Sequence, residues 1–371
     1  MNNLHGIIMA YHSDRNLGEL TKPRNTCSLP FGGSYRLIDF MLSNLVNAGV
    51  TDVGLIVHES YQSLLDHVGS GKDWELSRKH GGLRILPPFS AAERTQGEYR
   101  GTMEALHGVS SYLQNIRQEY VLLAWGNLAV NLPVEDIFQQ HVASGSDITI
   151  VCSDKHWGLP NECQYVKADE TGRVVDLAVK PAREPDMLES LEVYIMSKEL
   201  LLNLVEDCAA HDLFSMSRGV LLRRVNTLKL QTYVYSGYVA RFHSVLDYFD
   251  HSMNLLKPEV RNDLFNVKAP IRTKDYSTSS TYYGPDSKTV NSLIADGCVI
   301  EGEVENSILS GNVVVEKGAK VTNCVLMQGT VVGKNAIVSY AIADKDVHIG
   351  DRRMLMGQET YPITIAKETK V

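Results

Sequence analysis

Short apolar runs alternate with helical patterns from residue 5 to about residue 258. Four runs, at residues 6–10, 53–57, 120–124 and 148–152, are aliphatic or β-branched and apolar on both faces, which predicts strands of a covered parallel sheet. The stretches 37–48, 61–68 and 102–116 predict helices between them. This order is typical of a Rossmann-like, doubly wound α/β sheet with right-handed crossovers. Because ligands of such sheets lie at the carboxyl ends of the strands, the residues after Ala10 and Ala124 are the first candidates for a site.

The pattern of apolar and polar residues changes near Pro258, and in the following segment, to residue 286, apolar residues do not recur at a regular spacing. After it an internal repeat begins, in which Val304, Val321 and Val338 recur at an offset of 17, each with an aliphatic residue four positions later. A repeat of this length with small aliphatic residues between Gly and Asn predicts three short strands per coil, hence a left-handed parallel β-helix. We therefore predict an α/β domain at residues 1–258, a linker at 259–286 and a β-helix domain at 287–371.

Composition narrows the class of protein. The chain has 371 residues and a net charge of −8 without a Lys/Arg cluster, which argues against a nucleic-acid or membrane-surface partner. Its six cysteines are scattered and form no C-x-x-C pair, so they indicate reduced thiols rather than zinc ligands or disulfides. The first residues contain no basic region or long apolar run, and no segment approaches the about 18 apolar residues of a membrane helix. These observations predict a cytoplasmic protein.

Two loops could hold an anion. The loop at residues 11–17 follows the first predicted strand as a phosphate-binding turn does, yet it has no glycine before Gly18, and its Asp14 would repel phosphate. In residues 29–44, a Gly-Gly turn precedes a predicted helix whose start could bind an anion beside Arg24 and Arg36. As isolated patterns, the first is an ordinary surface loop, and the second is a turn with an amphipathic helix.

Three further segments contain candidate site residues. Asn127 follows a buried strand, where a metal-dependent nucleotidyltransferase would place an aspartate for Mg²⁺. Lys180 could contact a sugar phosphate as a point charge. The segment Tyr99, Arg100, Gly101 and Thr102 opens a predicted helix, with Gly-Thr as its cap and free N–H groups for a ligand. No histidine pair has metal-ligand spacing, and there is no Gly-x-Ser-x-Gly motif.

Several ordered motifs resemble one family over nearly the whole chain. The motifs are Pro30-Phe31-Gly32-Gly33-x-Tyr35-Arg36-x-Ile38-Asp39-Phe40-x-Leu42-Ser43-Asn44, Gly81-Gly82-x-x-Ile85-Leu86-Pro87-Pro88, Tyr99-Arg100-Gly101-Thr102, Lys180-Pro181, Pro270-Ile271-Arg272-Thr273 and Asn291-Ser292-Leu293-Ile294-x-x-Gly297-Cys298-x-Ile300. They are similar to bacterial glucose-1-phosphate adenylyltransferase, also called ADP-glucose pyrophosphorylase. The resemblance implies a nucleotidyltransferase domain followed by a left-handed β-helix, assembled as a tetramer. It also implies Mg²⁺-dependent synthesis of ADP-glucose from ATP and glucose 1-phosphate for glycogen or starch.

The same resemblance implies that catalytic positions are substituted. The family's glycine-rich G-G-x-G-T-R-L segment falls on residues 11–17, with its arginine at Asn16, and the lysine of its K-P-A-V-P-F segment falls on Thr26. Its two metal-binding aspartates fall on Asn127 and Arg241, and the glutamate before Lys-Pro falls on Val179. Catalytic residues and a metal site are therefore not expected, and Mg²⁺ loses its ligands.

The substitutions leave other functions in place. The resemblance retains sugar-phosphate binding at Tyr99, Arg100, Gly101, Thr102 and Lys180. It also retains the basic pair Arg24 and Arg36 near an anionic effector pocket. The pattern resembles the non-catalytic regulatory subunit that accompanies a catalytic homologue in Gram-positive bacteria. We therefore expect a hetero-oligomer, most simply a tetramer, with such a catalytic partner.

Three alternatives stay open at this point. The chain could be a self-sufficient nucleotidyltransferase whose metal is held by other carboxylates, such as Asp14 or Asp154. It could be an acyltransferase of the β-helix type, for which His348 is the one histidine after residue 251. It could also be a module that senses a sugar nucleotide without assembling with a partner.

Overall fold

The protein is described by a computed structural model. It covers residues 3–11, 15–58, 60–87, 99–158, 161–183, 186–276 and 278–371. Within these ranges the α/β domain and the β-helix predicted from the sequence are both present, so the predicted fold class is confirmed.

A nine-stranded sheet forms the centre of the first domain. Seven strands follow one path, in the order Val174–Val179, Gln164–Ala168, Leu188–Ser197, Tyr120–Trp125, Leu4–Ala10, Asp52–Val57 and Gly82–Leu86. Ile148–Ser153 pairs with Leu188–Ser197 and with the ninth strand, Leu230–Tyr235. All four predicted strands are present and slightly longer than predicted.

The sheet is mixed rather than wholly parallel. Leu4–Ala10 pairs in parallel with Asp52–Val57 and with Tyr120–Trp125. In contrast, Leu188–Ser197 runs antiparallel to both Tyr120–Trp125 and Ile148–Ser153. Successive side chains of the first strand enter separate cores, Ile7 and Met9 on one face and Ile8 on the other, and all three are fully buried.

Helices cover both faces of the sheet. The α-helices are Leu37–Asn47, Gln62–Val68, Thr102–Gly108, Ser110–Gln114, Val134–Ser144, Lys198–Ala210, Leu222–Arg224, Val245–Asn254 and Pro258–Leu264. Short 3₁₀ turns span Arg15–Thr21, Thr26–Ser28 and Lys72–Trp74, and a π-helical turn spans Met216–Leu221. The helix predicted over residues 102–116 is divided, because Val109 between the two parts leaves helical geometry with φ −115°.

The second domain is a parallel β-helix of three five-stranded sheets. The first sheet contains Tyr282–Tyr283, Val299–Ile300, Val314–Val315, Val331–Val332 and His348–Ile349; the second contains Lys288–Val290, Glu303–Glu305, Lys320–Thr322, Ile337–Ser339 and Met354–Met356; the third contains Leu293–Ile294, Ile308–Leu309, Val325–Leu326, Ala341–Ala343 and Ile363–Ile365. Two-stranded ladders elsewhere join Pro30–Phe31 to Tyr35–Arg36 and Ala129–Val130 to Val239–Ala240.

The third sheet of the β-helix packs against the α/β domain. Ile308, Val325 and Ile342 share a buried cluster with Phe31 and Phe40 of the first domain. The segment predicted as a linker begins with the helix Pro258–Leu264 and ends in the first coil strand, Tyr282–Tyr283. Its middle is hydrogen-bonded to the α/β domain, for example from the Arg272 backbone N–H to Ser43 Oγ at 2.8 Å. The segment is therefore an ordered bridge between the domains.

All six cysteines are buried free thiols. Within the described parts of the chain, no helix is long and apolar enough to cross a membrane.

Candidate functional site

A cleft of about 680 Å³ opens at the carboxyl end of Tyr120–Trp125. It is lined by most of the residues that the sequence singled out, namely Tyr99, Arg100, Gly101, Thr102, Asn127, Lys180 and Arg241. Asn16 and Thr26 are not among the lining residues; Asn16 is exposed and Thr26 is fully buried. Residues 12–14, with Asp14, and Pro88 lie outside the described residues. The predicted candidates from four separate segments thus meet in one cleft.

Aromatic side chains pack together in this cleft. The Tyr11 ring lies 5.1 Å, centroid to centroid, from both Tyr99 and Trp125. The indole N–H of Trp125 donates a 3.0 Å hydrogen bond to the carboxylate of Glu192. Burial raises the pKa of Tyr11, so its phenol stays neutral at physiological pH. The loop that the sequence compares with a phosphate-binding turn therefore begins at a packed aromatic residue.

Arg241 is the best-defined charged group of the cleft. Its side chain is 8% exposed, and its Nε lies 3.1 Å from Oε1 of the fully buried Glu189. Its Nη2 also donates to the Ser190 carbonyl at 2.8 Å. Burial alone would lower the pKa of Arg241, but Cys163, Glu189 and Glu192 raise it by more than burial lowers it. The pKa therefore lies above its usual value, and the guanidinium stays charged. The other Glu189 oxygen accepts from the Trp157 backbone N–H at 2.7 Å.

The helix at the edge of the cleft begins at Thr102, as predicted, but without the predicted cap. Gly101 precedes it and provides no side-chain hydrogen bond, while the Met103 N–H donates to the Phe214 carbonyl at 2.8 Å. The Arg100 guanidinium lies 3.6 Å from the Phe214 ring centroid and donates to the Glu104 carboxylate at 2.7 Å. The segment therefore docks on Phe214 rather than offering free N–H groups along its length.

We expect Gly101→Ala to destabilise this edge of the cleft. A Cβ at Gly101 would lie 2.4 Å from the Phe214 carbonyl oxygen, a backbone atom that cannot rotate away. Overpacking of this kind costs about 1–3 kcal/mol. The control is Gly108→Ala in the same helix, whose Cβ would meet only the Tyr99 side chain at 3.6 Å. Urea unfolding curves should show a lower midpoint for Gly101→Ala alone; equal midpoints would contradict the prediction.

Lys180 lies at the cleft in an unusual backbone conformation. Its φ is +51°, in the left-handed region, and its N–H donates to the Cys163 carbonyl at 2.8 Å. The ammonium group is 3.7 Å from Glu162, and both side chains are partly exposed, so this pair is weak. Its charge is therefore available to an anion.

A second cavity, of about 360 Å³, lies between the two domains. Arg36 and Lys274 approach it from the α/β domain and the bridge, and Lys345 approaches it from the β-helix. The Arg36 guanidinium donates to the Ser63 carbonyl at 2.6 Å. Burial, with Arg36 and Arg24 nearby, lowers the pKa of Lys345 to about 8. The cavity thus has a positive wall built from both domains.

Arg24 does not line this cavity. It is 2% exposed and forms a bidentate ion pair with Asp344, at 2.8 Å from Nη2 to Oδ1 and 3.0 Å from Nη1 to Oδ2. Direct contact of Arg24 with an effector would require this pair to open, whereas Arg36 is already at the cavity.

Sequence reasoning missed several residues of these two sites. Gln164, Glu189, Glu192 and Arg218 line or support the cleft, and Lys274 and Lys345 line the interdomain cavity. One signal was available, because Glu189 and Glu192 are charged residues within the mostly buried strand Leu188–Ser197. No sequence signal indicated Lys274 and Lys345, because their positions at the cavity depend on how the two domains pack.

Two alternative residues are placed away from the cleft. Asp154 accepts a hydrogen bond from Ser236 Oγ in an exposed position and is not among the lining residues. His348 is an exposed residue of the last coil, in register with Val331.

Comparison with known proteins agrees with the fold. The model for Nucleotidyl transferase matches residues 5–223, and the model for GlmU-like, C-terminal hexapeptide matches residues 279–360. The chain is 34% identical over 368 residues to Glycogen biosynthesis protein GlgD of Bacillus subtilis, covering 99% of this chain and 96% of that protein. It is 30% identical over 348 residues to Glucose-1-phosphate adenylyltransferase of Bacillus cereus, covering 93% and 92%.

Fold, cleft and matches define a nucleotidyl transferase with a C-terminal hexapeptide β-helix. Among such proteins, the chain belongs to the glucose-1-phosphate adenylyltransferase (ADP-glucose pyrophosphorylase) family. Nucleotidyl transferases of this kind use Mg²⁺.

Proposed function

We propose that the chain is a catalytically deficient, regulatory subunit of glucose-1-phosphate adenylyltransferase in glycogen biosynthesis. It assembles with a homologous catalytic subunit, most simply as a heterotetramer, and raises that subunit's activity or alters its response to effectors. The complex converts ATP and glucose 1-phosphate to ADP-glucose and pyrophosphate. The likeness to a protein described as a glycogen biosynthesis protein supports this assignment. An allosteric coupling between such subunits is typically about 1–3 kcal/mol.

The guanidinium of Arg241 is the observation that supports deficiency most directly. Mg²⁺ prefers carboxylate oxygens, whereas this cleft presents the neutral Asn127 and the cationic Arg241 at the two positions where the family has metal-binding aspartates. Its lining carboxylates have other partners: Glu192 accepts from the Trp125 indole N–H at 3.0 Å, and Glu162 lies 3.7 Å from the Lys180 ammonium group. The Glu189 carboxylate beside them is already paired with Arg241. Among the described residues, no three His, Cys, Asp or Glu side chains are grouped as metal ligands. The donors present thus do not fit Mg²⁺, and we derive no catalytic step through it.

The expected loss of rate is large. Without a metal, the charge that develops on the transferring phosphoryl group lacks the neutralisation that bridging metal ions supply in phosphoryl transfer. A single contact of this type is typically worth about 3–4 kcal/mol, or roughly 10²–10³ in rate. Since several such contacts are substituted together, little activity is expected from the chain alone.

The test is to assay ADP-glucose formation by this chain, by the catalytic subunit from the same genome, and by the co-expressed pair. We expect little or no product from this chain alone and a higher rate or a changed effector response for the pair. Asn127→Asp in this chain should leave both results unchanged, because Arg241 remains. Turnover by the chain alone at a rate comparable to the pair would show a self-sufficient enzyme instead. Size-exclusion chromatography of the mixture separates a subunit from a sensor that does not assemble.

The interdomain cavity supports a role in effector binding. We propose that Arg36, Lys274 and Lys345 contact an anionic effector there, with Arg24 adding positive potential from behind. The sequence-based expectation gave Arg24 a direct contact with the effector. Here Arg24 makes no such contact, because its guanidinium is paired with Asp344. Because the cavity is lined by both domains, an anion in it would tie their relative position to ligand binding.

Anion binding in this cavity should weaken as the pH rises through about 8. Burial lowers the pKa of Lys345 to about 8, so the amine loses its charge above that pH while Arg36 keeps its own. A charge-assisted hydrogen bond is worth about 1.5–3 kcal/mol, which corresponds to roughly tenfold or more in affinity. Titration with sulfate, whose charge is constant from pH 7 to 9, should show this decrease.

Lys345→Gln should remove the pH dependence and bind weakly throughout, whereas Lys317→Gln, at an exposed lysine of the β-helix, should behave as the unmodified chain. A pH-independent affinity in the unmodified chain would contradict the assignment.

The free energy of unfolding should change with pH in the opposite direction to the anion affinity. The folded pKa lies below the unfolded value, so the cost of charged Lys345 is present below pH 8, and stability rises between about 8 and 10.5.

A further inference from the structure

Three aromatic side chains pack together at the carboxyl end of the first strand. Met9 of this strand is paired in register with Trp125, so Tyr11 and Trp125 leave the sheet at neighbouring strand ends. The Tyr11 ring lies 5.1 Å, centroid to centroid, from Tyr99 at an interplanar angle of 71°, and 5.1 Å from Trp125 at 57°. Rings at this separation are in direct contact, so no further ring fits between the members of either pair. We call the rings of Tyr11, Tyr99 and Trp125 the aromatic cluster.

Several contacts hold the aromatic cluster in place. Its three rings pack against one buried apolar core of the α/β domain. The Trp125 indole N–H donates a 3.0 Å hydrogen bond to the Glu192 carboxylate, and the His58 ring lies 5.0 Å from the Tyr99 ring. Glu192 has φ +55°, in the left-handed region, which is costly for a residue other than glycine or asparagine. Backbone strain of this kind persists where the surroundings determine the conformation, so the partner of Trp125 is firmly positioned.

The position of the aromatic cluster is the one at which a mononucleotide-binding sheet receives its ligand. In such sheets the turn after the first strand carries glycines, because the backbone must approach the phosphates closely at the carboxyl ends of the strands. Here the turn begins with Tyr11, whose ring contacts Trp125 at the end of the neighbouring strand. A nucleotide at this place would have to displace the Tyr11 ring from two ring contacts and from the core. Aromatic contacts are favourable beyond the area they bury, so this displacement opposes binding.

We propose that the aromatic cluster is an autoinhibitory contact, in which the Tyr11 ring occupies the place of an adenine nucleotide and the hydrogen bond from Trp125 to Glu192 keeps the cluster closed. The chain therefore takes up no nucleotide at this strand end, with or without Mg²⁺. This inference rests on the catalytic deficiency in the proposed function and gives that deficiency a second cause, separate from the substituted metal ligands. Removal of the Tyr11 ring should leave Tyr99 and Trp125 as surfaces on which a base can stack.

The test is titration of the full chain with ATP, in Mg²⁺ and in EDTA, followed by calorimetry and by tryptophan fluorescence. We expect no saturation of the unmodified chain up to about 1 mM ATP, which marks very weak binding. Tyr11→Gly should bind ATP at least about tenfold more tightly, within the range that stacking of one base on an aromatic ring supplies. The fluorescence change that accompanies binding should disappear when Trp125→Phe is added, which assigns the signal to this ring.

Two variants serve as controls. Tyr11→Phe keeps the ring and removes only the hydroxyl, so it should bind no more ATP than the unmodified chain. Tyr233→Ala truncates a half-buried tyrosine that packs on the other core of the α/β domain and does not line the cleft. It should also bind no ATP, which separates an opened site from a loosened fold. If Tyr11→Gly does not fold, Tyr11→Ala, which restricts the backbone more, takes its place.

Other results overturn the inference in distinguishable ways. Saturable ATP binding by the unmodified chain, without product formation, would show that the cluster does not exclude the nucleotide and would leave the proposed deficiency intact. No gain in affinity for the folded variant at Tyr11 would assign the exclusion to the missing glycines rather than to the ring. If the ATP titrations agree with expectation but the chain does not affect the catalytic subunit, the aromatic cluster keeps its role and the proposed regulatory function is wrong.

Discussion

Asp344→Ala is expected to destabilise the protein by about 3–5 kcal/mol, because it leaves the buried guanidinium of Arg24 without a counter-charge. The side chains of the two residues are 3% and 0% exposed, and the pair joins the α/β domain to the β-helix. Asp344 Oδ1 also accepts a 2.7 Å hydrogen bond from the Lys345 N–H, which the substitution removes. All three tryptophans, Trp74, Trp125 and Trp157, lie in the α/β domain, so their fluorescence follows that domain, while circular dichroism follows both.

The control is Glu303→Ala, which breaks the Lys320–Glu303 pair on the surface of the β-helix. Those side chains are 55% and 49% exposed, and the expected loss is below about 1 kcal/mol. Replacing both members of the buried pair, as Arg24→Met with Asp344→Leu, should cost much less than Asp344→Ala, since no charge is then left buried. A loss for Asp344→Ala as small as that for Glu303→Ala would show that the domain interface opens readily to water.

Arg241→Asp is expected to have a comparable effect, about 3–5 kcal/mol, and to restore no activity. The new carboxylate would lie beside the fully buried Glu189, and two like charges would replace an ion pair. Combining it with Asn127→Asp should still give no ADP-glucose in the presence of Mg²⁺. Denaturant unfolding and product formation by the single and double variants measure both effects.

The matched control is Arg241→Met with Glu189→Met, which removes both charges and should recover most of the stability. If Mg²⁺ instead restores both stability and turnover to the Arg241→Asp chain, the cleft retains a functional metal site, and the proposed deficiency would rest on Arg241 alone.

The sequence predicted the parts of the fold that depend on local pattern. The parallel strands are recognisable because they are buried on both faces and therefore continuously apolar, as in Ile7, Ile8 and Met9. The mixed character of the sheet was not predictable in this way. The second half of Leu188–Ser197, from Val193 to Met196, is also continuously apolar, and its antiparallel direction is decided by which neighbour it pairs with, not by its own residues.

The coil repeat shows a similar limit. Val314 pairs with Val331 and Val331 with His348, which gives the step of 17 residues seen in the sequence. Val299, however, pairs with Val314, a step of 15. A fixed offset of 17 therefore finds the three coils of Val304, Val321 and Val338 and does not extend back to the first coil, where Thr289 pairs with Val304 at a step of 15, although the β-helix itself is predicted correctly. The second coil is two residues shorter than the third, and the difference lies in the turn between Val299–Ile300 and Glu303–Glu305. The length of a turn is less restricted than the register of paired strands.

For the candidate site, the sequence indicated which residues would be substituted but not how their charges are balanced. Arg241 and its partner Glu189 are separated along the chain, and their contact depends on the tertiary packing that also places Val239 and Val193 in one buried cluster. Arg24 shows the opposite case: a basic residue that pattern alone assigns to a ligand is instead paired with Asp344 of the other domain. A buried partner far along the chain is invisible to motif analysis.

The six buried thiols have a consequence for following the motions of this protein. Burial raises the pKa of Cys27 and Cys324 to about 12, and it also raises the pKa of Cys152 and Cys298, so none of these reacts readily in the closed molecule. An alkylating reagent will therefore modify each one only when its surroundings open. Cys27 and Cys152 report on the α/β domain, and Cys298 and Cys324 report on the β-helix. The native chain thus contains separate chemical reporters for the opening of each domain, without any engineered label.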